Sequence, residues 1–133
     1  MRRKTWIKRG TARLVSRRRV RSAEEREASA AWKAAVGSSC SICPAEGGVC
    51  SGVIQGHHAI SKQALKRRSL HAFLWDVRNK VDVCTFRHEQ ITTNAKPLPA
   101  DLLPDAVWAF AADVGLTWWV ERFYPSERAE VAA

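Results

Sequence analysis

The sequence predicts one α+β domain in which helices surround two short strands, behind a disordered basic N-terminal arm. Ser22 opens an S-x-x-E capping box, and the Ala- and Glu-rich segment after it predicts a helix leading into the domain over residues 22–37. Strand-forming residues occur in two short runs, at 49–54 and 81–83. Beyond Pro104, apolar residues recur at the spacing of a helix with one buried face: Val107, Phe110, Ala111 and Val114.

The other elements are expected between and after these segments. A Gly-rich turn precedes the first strand. The sequence then predicts a short basic helix from Ser61, a helix over 85–93, a helix from Pro104 that Gly115 closes, and a strand or short helix over 116–124. The domain is expected to span 38–124, and residues 125–133 are expected to fray.

The net charge of +9 is concentrated at the N-terminus. Residues 1–22 hold ten Lys or Arg and no acid, which leaves 12 of the 22 bases and all 13 acids for the rest of the chain. Because it lacks periodicity, this basic segment predicts a flexible arm over 1–21 that binds a polyanion, with DNA or RNA the leading candidates. A solvated tail that keeps the protein in solution is the alternative.

The sequence contains no apolar run of about 18 residues or more, so no membrane-spanning helix is expected. The N-terminus is charged from Arg2 onward and lacks the apolar stretch of a secretory signal. These features predict a cytoplasmic protein. Disulfides are disfavoured in that compartment, so clustered cysteines are expected to bind metal instead.

The densest group of chemically useful side chains lies between residues 57 and 88. The group consists of three of the four histidines of the chain and one asparagine: His57, His58, His88 and Asn79. Successive side chains of a strand face opposite ways, so adjacent histidines can serve different purposes. One can ligate a metal ion, while the other, with an ordinary pKa near 6.5, can take a proton from water around neutral pH.

This arrangement resembles the HNH, or ββα-metal, nuclease motif, and is most similar to small phage-encoded HNH nucleases. The resemblance covers roughly residues 38–124 and, loosely, the basic arm. The features that carry it are the Lys/Arg-rich leader, a CxxC at Cys40 and Cys43, the pair His57-His58 followed by Lys62-Gln63, Arg78-Asn79 before a short strand, and a trailing helix. It implies a ββα-metal unit with flanking helices, and a metal-dependent endonuclease that hydrolyses DNA phosphodiester bonds.

The resemblance also implies a role for each motif residue. His57 binds the catalytic metal, His58 is the general base, Asn79 orders the loop and His88 completes the metal site. Phosphodiester hydrolysis needs these functions, because water must lose a proton while charge on the phosphoryl and leaving oxygens is stabilised. No strong ligand follows one turn after His88, so Mg²⁺ or Mn²⁺, completed by water and phosphate, is expected at the active site.

The cysteines predict a separate structural zinc site. Relatives commonly carry a second CxxC pair, but here Cys84-Thr-Phe-Arg87 has an arginine in place of the last cysteine. Arginine stays protonated and cannot ligate a metal. Counting ligands therefore brings in Cys50, which would complete a four-thiolate set of Cys40, Cys43, Cys50 and Cys84. In the alternative, Cys50 and Cys84 are small buried hydrophobic residues.

Basic side chains around the motif and in the arm are expected to contact DNA phosphates: Arg17, Arg18, Arg19, Lys62, Lys66, Arg67 and Arg78. We expect a monomer, and the resemblance suggests phage packaging proteins as partners. Two other functions fit the same residues. One is a non-catalytic, zinc-ribbon-like module that binds nucleic acid, and the other is a nuclease or toxin directed at RNA.

Overall fold

The computed structural model describes residues 22–124. The expected basic arm over 1–21, with Arg17, Arg18 and Arg19, and the expected frayed end over 125–133 lie outside the described residues. The helices and strands are, in order, α1 (Ala23–Ala34), α2 (Cys43–Glu46), β1 (Ile54–His58), α3 (Lys62–Arg67), β2 (Lys80–Cys84), α4 (Thr85–Thr92), α5 (Asp105–Val114) and α6 (Thr117–Phe123), with 3₁₀ turns at His71–Phe73, Val77–Asn79 and Ala100–Leu102. This content confirms the α+β class.

The sheet consists of β1 and β2, which pair antiparallel with Ile54 opposite Cys84 and His58 opposite Lys80. Side chains of paired residues lie on the same face of a sheet, and successive residues alternate between faces. His57 therefore shares one face with Val81, whereas His58 projects from the other. The two adjacent histidines thus point to opposite sides of the sheet.

Helix α1 packs on the face that carries His58. The Ser22 hydroxyl accepts a hydrogen bond from the Glu25 N–H at 3.1 Å, which confirms the predicted cap. Trp32 from the same helix is only 4% exposed and packs directly on Gly56 of β1. A Cβ at Gly56 would lie 2.5 Å from the Trp32 ring, so a larger residue has no room here.

Helix α4 starts where β2 ends and contacts both strands. Helices α5 and α6 pack together, and the chain reverses between them at Gly115, whose φ of 74° is the left-handed conformation that glycine adopts readily. The hydrophobic core includes Ile60, Leu65, Leu74, Val81, Val83, Leu98, Val107, Phe110 and Val120. No helix in the range 22–124 combines the length and apolar character needed to cross a membrane.

The prediction of a strand over 49–54 was wrong, because β1 begins only at Ile54. Val49 and Val53 are 88% and 70% exposed. The carbonyl groups of Ser51 and Val53 accept hydrogen bonds from the Phe86 and Thr85 N–H groups, at 3.1 and 2.9 Å. This segment therefore satisfies the first turn of α4 instead of extending the sheet. The segment after Gly115, for which strand and helix were both open, is helical.

Candidate metal centre and active site

Four cysteine side chains from three separate segments meet beside α2 and the start of α4. The sulfur atoms of Cys40, Cys43, Cys50 and Cys84 all lie within 4.8 Å of one another, and those of Cys43 and Cys84 are 3.6 Å apart. A tetrahedral ion with metal–sulfur bonds of about 2.3 Å would separate its ligands by roughly 3.8 Å. The four thiols can therefore hold a metal ion such as zinc. The expected convergence of Cys50 with the other three is confirmed.

The thiols differ in how readily they ionise. Burial raises the pKa of Cys40, but the N–H groups of Cys43, Cys84 and Ile42 outweigh this effect and lower it to about 7. Burial and the neighbouring Cys84 thiol raise the pKa of Cys43. The pKa of Cys84 is lowered, because hydrogen bonds from Ser51 and Arg87 outweigh its burial. Since a metal binds thiolates, Cys40 and Cys84 offer the more available ligands.

Arg87 is itself buried and has its own partners within the protein. Its side chain is 2% exposed and forms a bidentate ion pair with Glu46, at 2.8 and 3.2 Å. It also donates to the backbone carbonyl groups of Lys96 and Pro97. The hydrogen bonds from Arg87 hold the pKa of Glu46 below its usual range. The residue in the expected place of a cysteine thus ties α4 to α2 by an ion pair.

His57 and His88 face each other between β1 and α4. Their ring centroids are 5.3 Å apart and the ring planes are inclined by 69°. An ion bound about 2.1 Å from one nitrogen of each ring would place the two centroids roughly 5 Å apart, so this spacing fits two ligands of one ion. Both side chains are partly buried. No third His, Cys, Asp or Glu within 22–124 joins them in a ligand group.

His58 occupies an aromatic pocket on the opposite face. It stacks on Trp32 with ring centroids 4.4 Å apart, and the edge of Trp75 approaches at 5.2 Å. Its Nε2 lies 3.0 Å from the Leu74 carbonyl oxygen. Because a carbonyl group only accepts hydrogen bonds, Nε2 carries the proton of the neutral ring, and Nδ1 keeps the free lone pair. Nδ1 is therefore the nitrogen that can act as a base.

Both histidines of the pair are neutral at physiological pH. Burial, together with the charges of His88 and His58, lowers the pKa of His57 to about 4. Burial also lowers the pKa of His58 to about 4, assisted by the charge of Lys62 and opposed by the hydrogen bond to Leu74. Neutral imidazole is the form that ligates metal and accepts a proton.

Asn79 is fully buried and fixes the loop that leaves the histidine strand. Its side-chain oxygen accepts from the Ile60 N–H at 2.8 Å, and its amide nitrogen donates to the Ile60 carbonyl at 2.9 Å. Its own carbonyl accepts from the Ala59 N–H at 3.1 Å. Asn79 thus orders the backbone directly after His58.

The basic residues predicted to contact phosphate fall into two groups. Lys62, Lys66 and Arg67 are exposed on α3, where their charges can meet a ligand. Arg78 is instead bound to Asp76 at 3.0 Å and to Asp113, and these two carboxylates raise its pKa above the ordinary value. Its charge is therefore already matched within the protein.

Three residues that contact the candidate sites or their neighbours were not predicted from the sequence. Trp32 and Trp75 enclose His58, and Glu46 neutralises the buried Arg87. Tryptophan in an amphipathic helix is ordinary core material, so α1 offers no local sign of its contact with His58. Comparisons of the chain with protein-family models, curated proteins and solved structures gave no match.

Proposed function

We propose that this protein is a metal-dependent endonuclease of the HNH type that hydrolyses DNA phosphodiester bonds. The observation that carries the proposal is the approach of His57 and His88 across the junction between the two-stranded sheet and the following helix. Two imidazoles at this spacing, without a third protein ligand among the described residues, leave coordination positions for water and phosphate. Open positions distinguish catalytic from structural metal sites.

The donor set favours one of the two expected metals. Imidazole nitrogen suits transition metals, whereas Mg²⁺ prefers oxygen ligands and retains its water. Mn²⁺ is therefore the better fit to His57 and His88. An ion held there would supply a Lewis acid for the phosphoryl and leaving oxygens.

His58 is the proposed general base, acting through Nδ1. The Leu74 carbonyl and the stacked Trp32 ring fix its orientation, and Asn79 fixes the loop beside it. His58 projects from the face opposite His57, but it is the last residue of β1, and a two-stranded sheet leaves one edge of that strand unpaired. The proposal requires that a phosphodiester at this edge contact both rings, so that Nδ1 of His58 takes the proton from water beside the metal.

DNA is proposed as the substrate because unmatched positive charge surrounds this edge. Lys62, Lys66 and Arg67 follow β1 on α3, and the basic arm adds sequence-independent attraction. We further propose that the ion of the cysteine cluster is zinc, which four thiolates bind in structural sites. Action on RNA, phage packaging proteins as partners, and a monomeric state remain predictions.

Cleavage assays with supercoiled plasmid and, separately, with structured RNA test the proposal. We expect DNA cleavage that requires added Mn²⁺ or Mg²⁺ and that falls in His57→Ala and His88→Ala at a metal concentration just sufficient for the wild type. His71→Ala is the matched control, because His71 is exposed on a 3₁₀ turn and belongs to neither site. Binding without cleavage under every divalent ion would favour the non-catalytic zinc module, and cleavage of RNA alone would favour the RNA-directed nuclease.

Deleting residues 1–21 tests the role of the arm. The truncated protein should still cleave but bind DNA more weakly, and the slope of log affinity against log salt should become shallower by about 0.9 for each phosphate that the arm no longer neutralises. The measurement is a salt titration of binding for the full and truncated chains. An unchanged slope would reduce the arm to a solubility tail.

A further inference from the structure

Helices α3 and α6 line a groove that the proposed cleavage chemistry does not use. Its lining includes three arginines, three aromatic residues and no acid: Arg67, Arg68, Arg122, Trp118, Trp119 and Phe123. Trp118 is 49% exposed and Phe123 is 56% exposed. Phe110 and Trp32, by contrast, are buried, whereas the exposed parts of these two rings are available to a ligand.

The charges of the groove are unmatched. Within residues 22–124, Arg67, Arg68 and Arg122 form no ion pair, whereas Arg78 on another surface is held by two carboxylates. The Arg68 guanidinium lies 5.3 Å from the Trp118 ring centroid and donates to the Ala64 carbonyl at 2.9 Å. That of Arg122 lies 5.7 Å from the Phe123 centroid. The surface thus carries two pairs, each of a guanidinium group and an aromatic ring.

We propose that the α3–α6 groove binds an unpaired nucleic-acid strand, with phosphates on the arginines and a base stacked on Trp118. An unpaired strand offers both phosphates and base faces, and these match a surface that offers both guanidinium groups and aromatic rings. In a duplex the base faces are stacked on one another and cannot reach a protein ring. An acidic peptide would satisfy the arginines but would leave the exposed indole without a stacking partner.

The position of the groove links it to the histidine strand. Ser61, which caps α3 and lines the groove, is three residues beyond His58. At the end of α6, the Tyr124 hydroxyl donates to the carbonyl of Ala59. Both walls are therefore attached to the loop that leaves β1. The inference rests on the proposed function in taking nucleic acid as the substrate, and it specifies DNA with a single-stranded end or gap.

The test measures binding by the full chain without added Mg²⁺ or Mn²⁺, so that it is independent of cleavage. The probes are a fluorescent oligothymidylate and a blunt-ended duplex of two annealed strands, and binding is followed by fluorescence anisotropy. Trp118→Leu should weaken oligothymidylate binding about 5- to 150-fold, the range for one base stacked on an aromatic ring, and change duplex binding less than about twofold. Trp118→Tyr, which keeps an aromatic face, should restore most of the affinity.

Charge is tested in the same assay. Arg67→Gln with Arg122→Gln should make the salt slope for the single strand shallower by about 0.7 for each phosphate that the variant no longer neutralises. The matched control is Arg26→Gln with Lys33→Gln, which removes two exposed charges from α1. This control should leave the salt slope for the single strand at its wild-type value. If Trp118→Leu fails to fold by circular dichroism, Phe123→Leu takes its place.

Three results would overturn the inference. Trp118→Leu could weaken single-strand and duplex binding equally, or it could leave single-strand binding unchanged. Polyglutamate could also displace the oligonucleotide as efficiently as unlabelled strand does. The last would assign the groove to an acidic protein. Strand binding at the groove in a protein that never cleaves would contradict only the nuclease proposal. If all groove variants cleave DNA and bind the single strand as the wild type does, only the inference would be contradicted.

Discussion

The two candidate metal sites of this chain differ in their donors and in how completely the protein surrounds them. The cysteine cluster brings together four thiols, three of them buried. The histidine site brings together two partly buried imidazoles from neighbouring elements. Four protein ligands saturate a tetrahedral ion, whereas two leave room for substrate. In our proposal the two sites therefore have separate roles, with the cysteine cluster holding an ion that stabilises the fold and the histidine pair holding an ion that acts in catalysis.

Loss of a cysteine should have the largest effect. Structural zinc contributes about 10–16 kcal/mol in small peptides, as much as the total stability of most domains, about 5–15 kcal/mol. Cys84→Ser should therefore lose the metal and unfold, and exposed Cys50→Ser should lose zinc and melt at a lower temperature. Elemental analysis should find close to one zinc per wild-type chain. Zinc retained in full by Cys50→Ser would restrict the cluster to three ligands and weaken the contrast between the sites.

Replacement of the proposed base should affect turnover alone. His58→Gln should reduce cleavage about 10²- to 10⁴-fold, the usual contribution of a general base, with zinc content and melting temperature near wild type. Initial rates at saturating Mn²⁺ over pH 6–9 provide the check. Wild-type turnover in this variant would place the base elsewhere and leave His58 as part of the aromatic packing with Trp32.

Replacement of a proposed metal ligand should have a smaller effect that metal concentration can compensate. His88→Ala should raise the Mn²⁺ concentration needed for half-maximal activity, because one of two imidazole donors is removed, and it should keep its zinc. Calorimetric titration of Mn²⁺ into the zinc-loaded protein measures this directly. Unchanged Mn²⁺ affinity would contradict the assignment of His88 as a ligand.

The smallest effect expected is a change of stability with pH. Burial lowers the pKa values of His57 and His58 to about 4, so the unfolded chain, with pKa values near 6.5, binds protons that the folded chain does not. Their contribution to stability is therefore complete above pH 6.5 and decreases as the pH falls toward 4. Denaturation at pH 7, 6 and 5, without added Mn²⁺ and with zinc content monitored, should show this slope. His58→Gln should make it shallower, and an identical slope would contradict the burial of that ring.

The sequence predicted the features that depend on local rules. The cap at Ser22 and the helix closed by Gly115 follow from short-range chemistry and agree with the structure. The convergence of Cys50 with the other cysteines followed from counting metal ligands, because Arg87 cannot bind a metal. Asn79 hydrogen-bonds the backbone beyond His58, and its role in an HNH site stays a prediction.

Features that depend on contacts between distant segments were missed. The pair of Arg87 with Glu46 joins positions 41 residues apart, and nothing near either residue indicates it. Residues 49–53 have strand-forming side chains, but their carbonyl groups serve α4 and Cys50 must reach the cluster, so tertiary contacts override local preference. The enclosure of His58 between two tryptophans likewise depends on how α1 crosses the sheet.

The contact between Gly56 and Trp32 has a consequence for how this chain can vary. The indole fills the space where a side chain at position 56 would stand, immediately before the histidine pair. A larger residue there would push the helix away and release the ring that supports His58. Substitutions at these two positions should therefore be accepted only together, a larger residue at 56 with a smaller one at 32. A library randomised at both positions and selected for folding would test this. Covariation between positions 56 and 32 among the selected variants would show that each residue limits the size of the other.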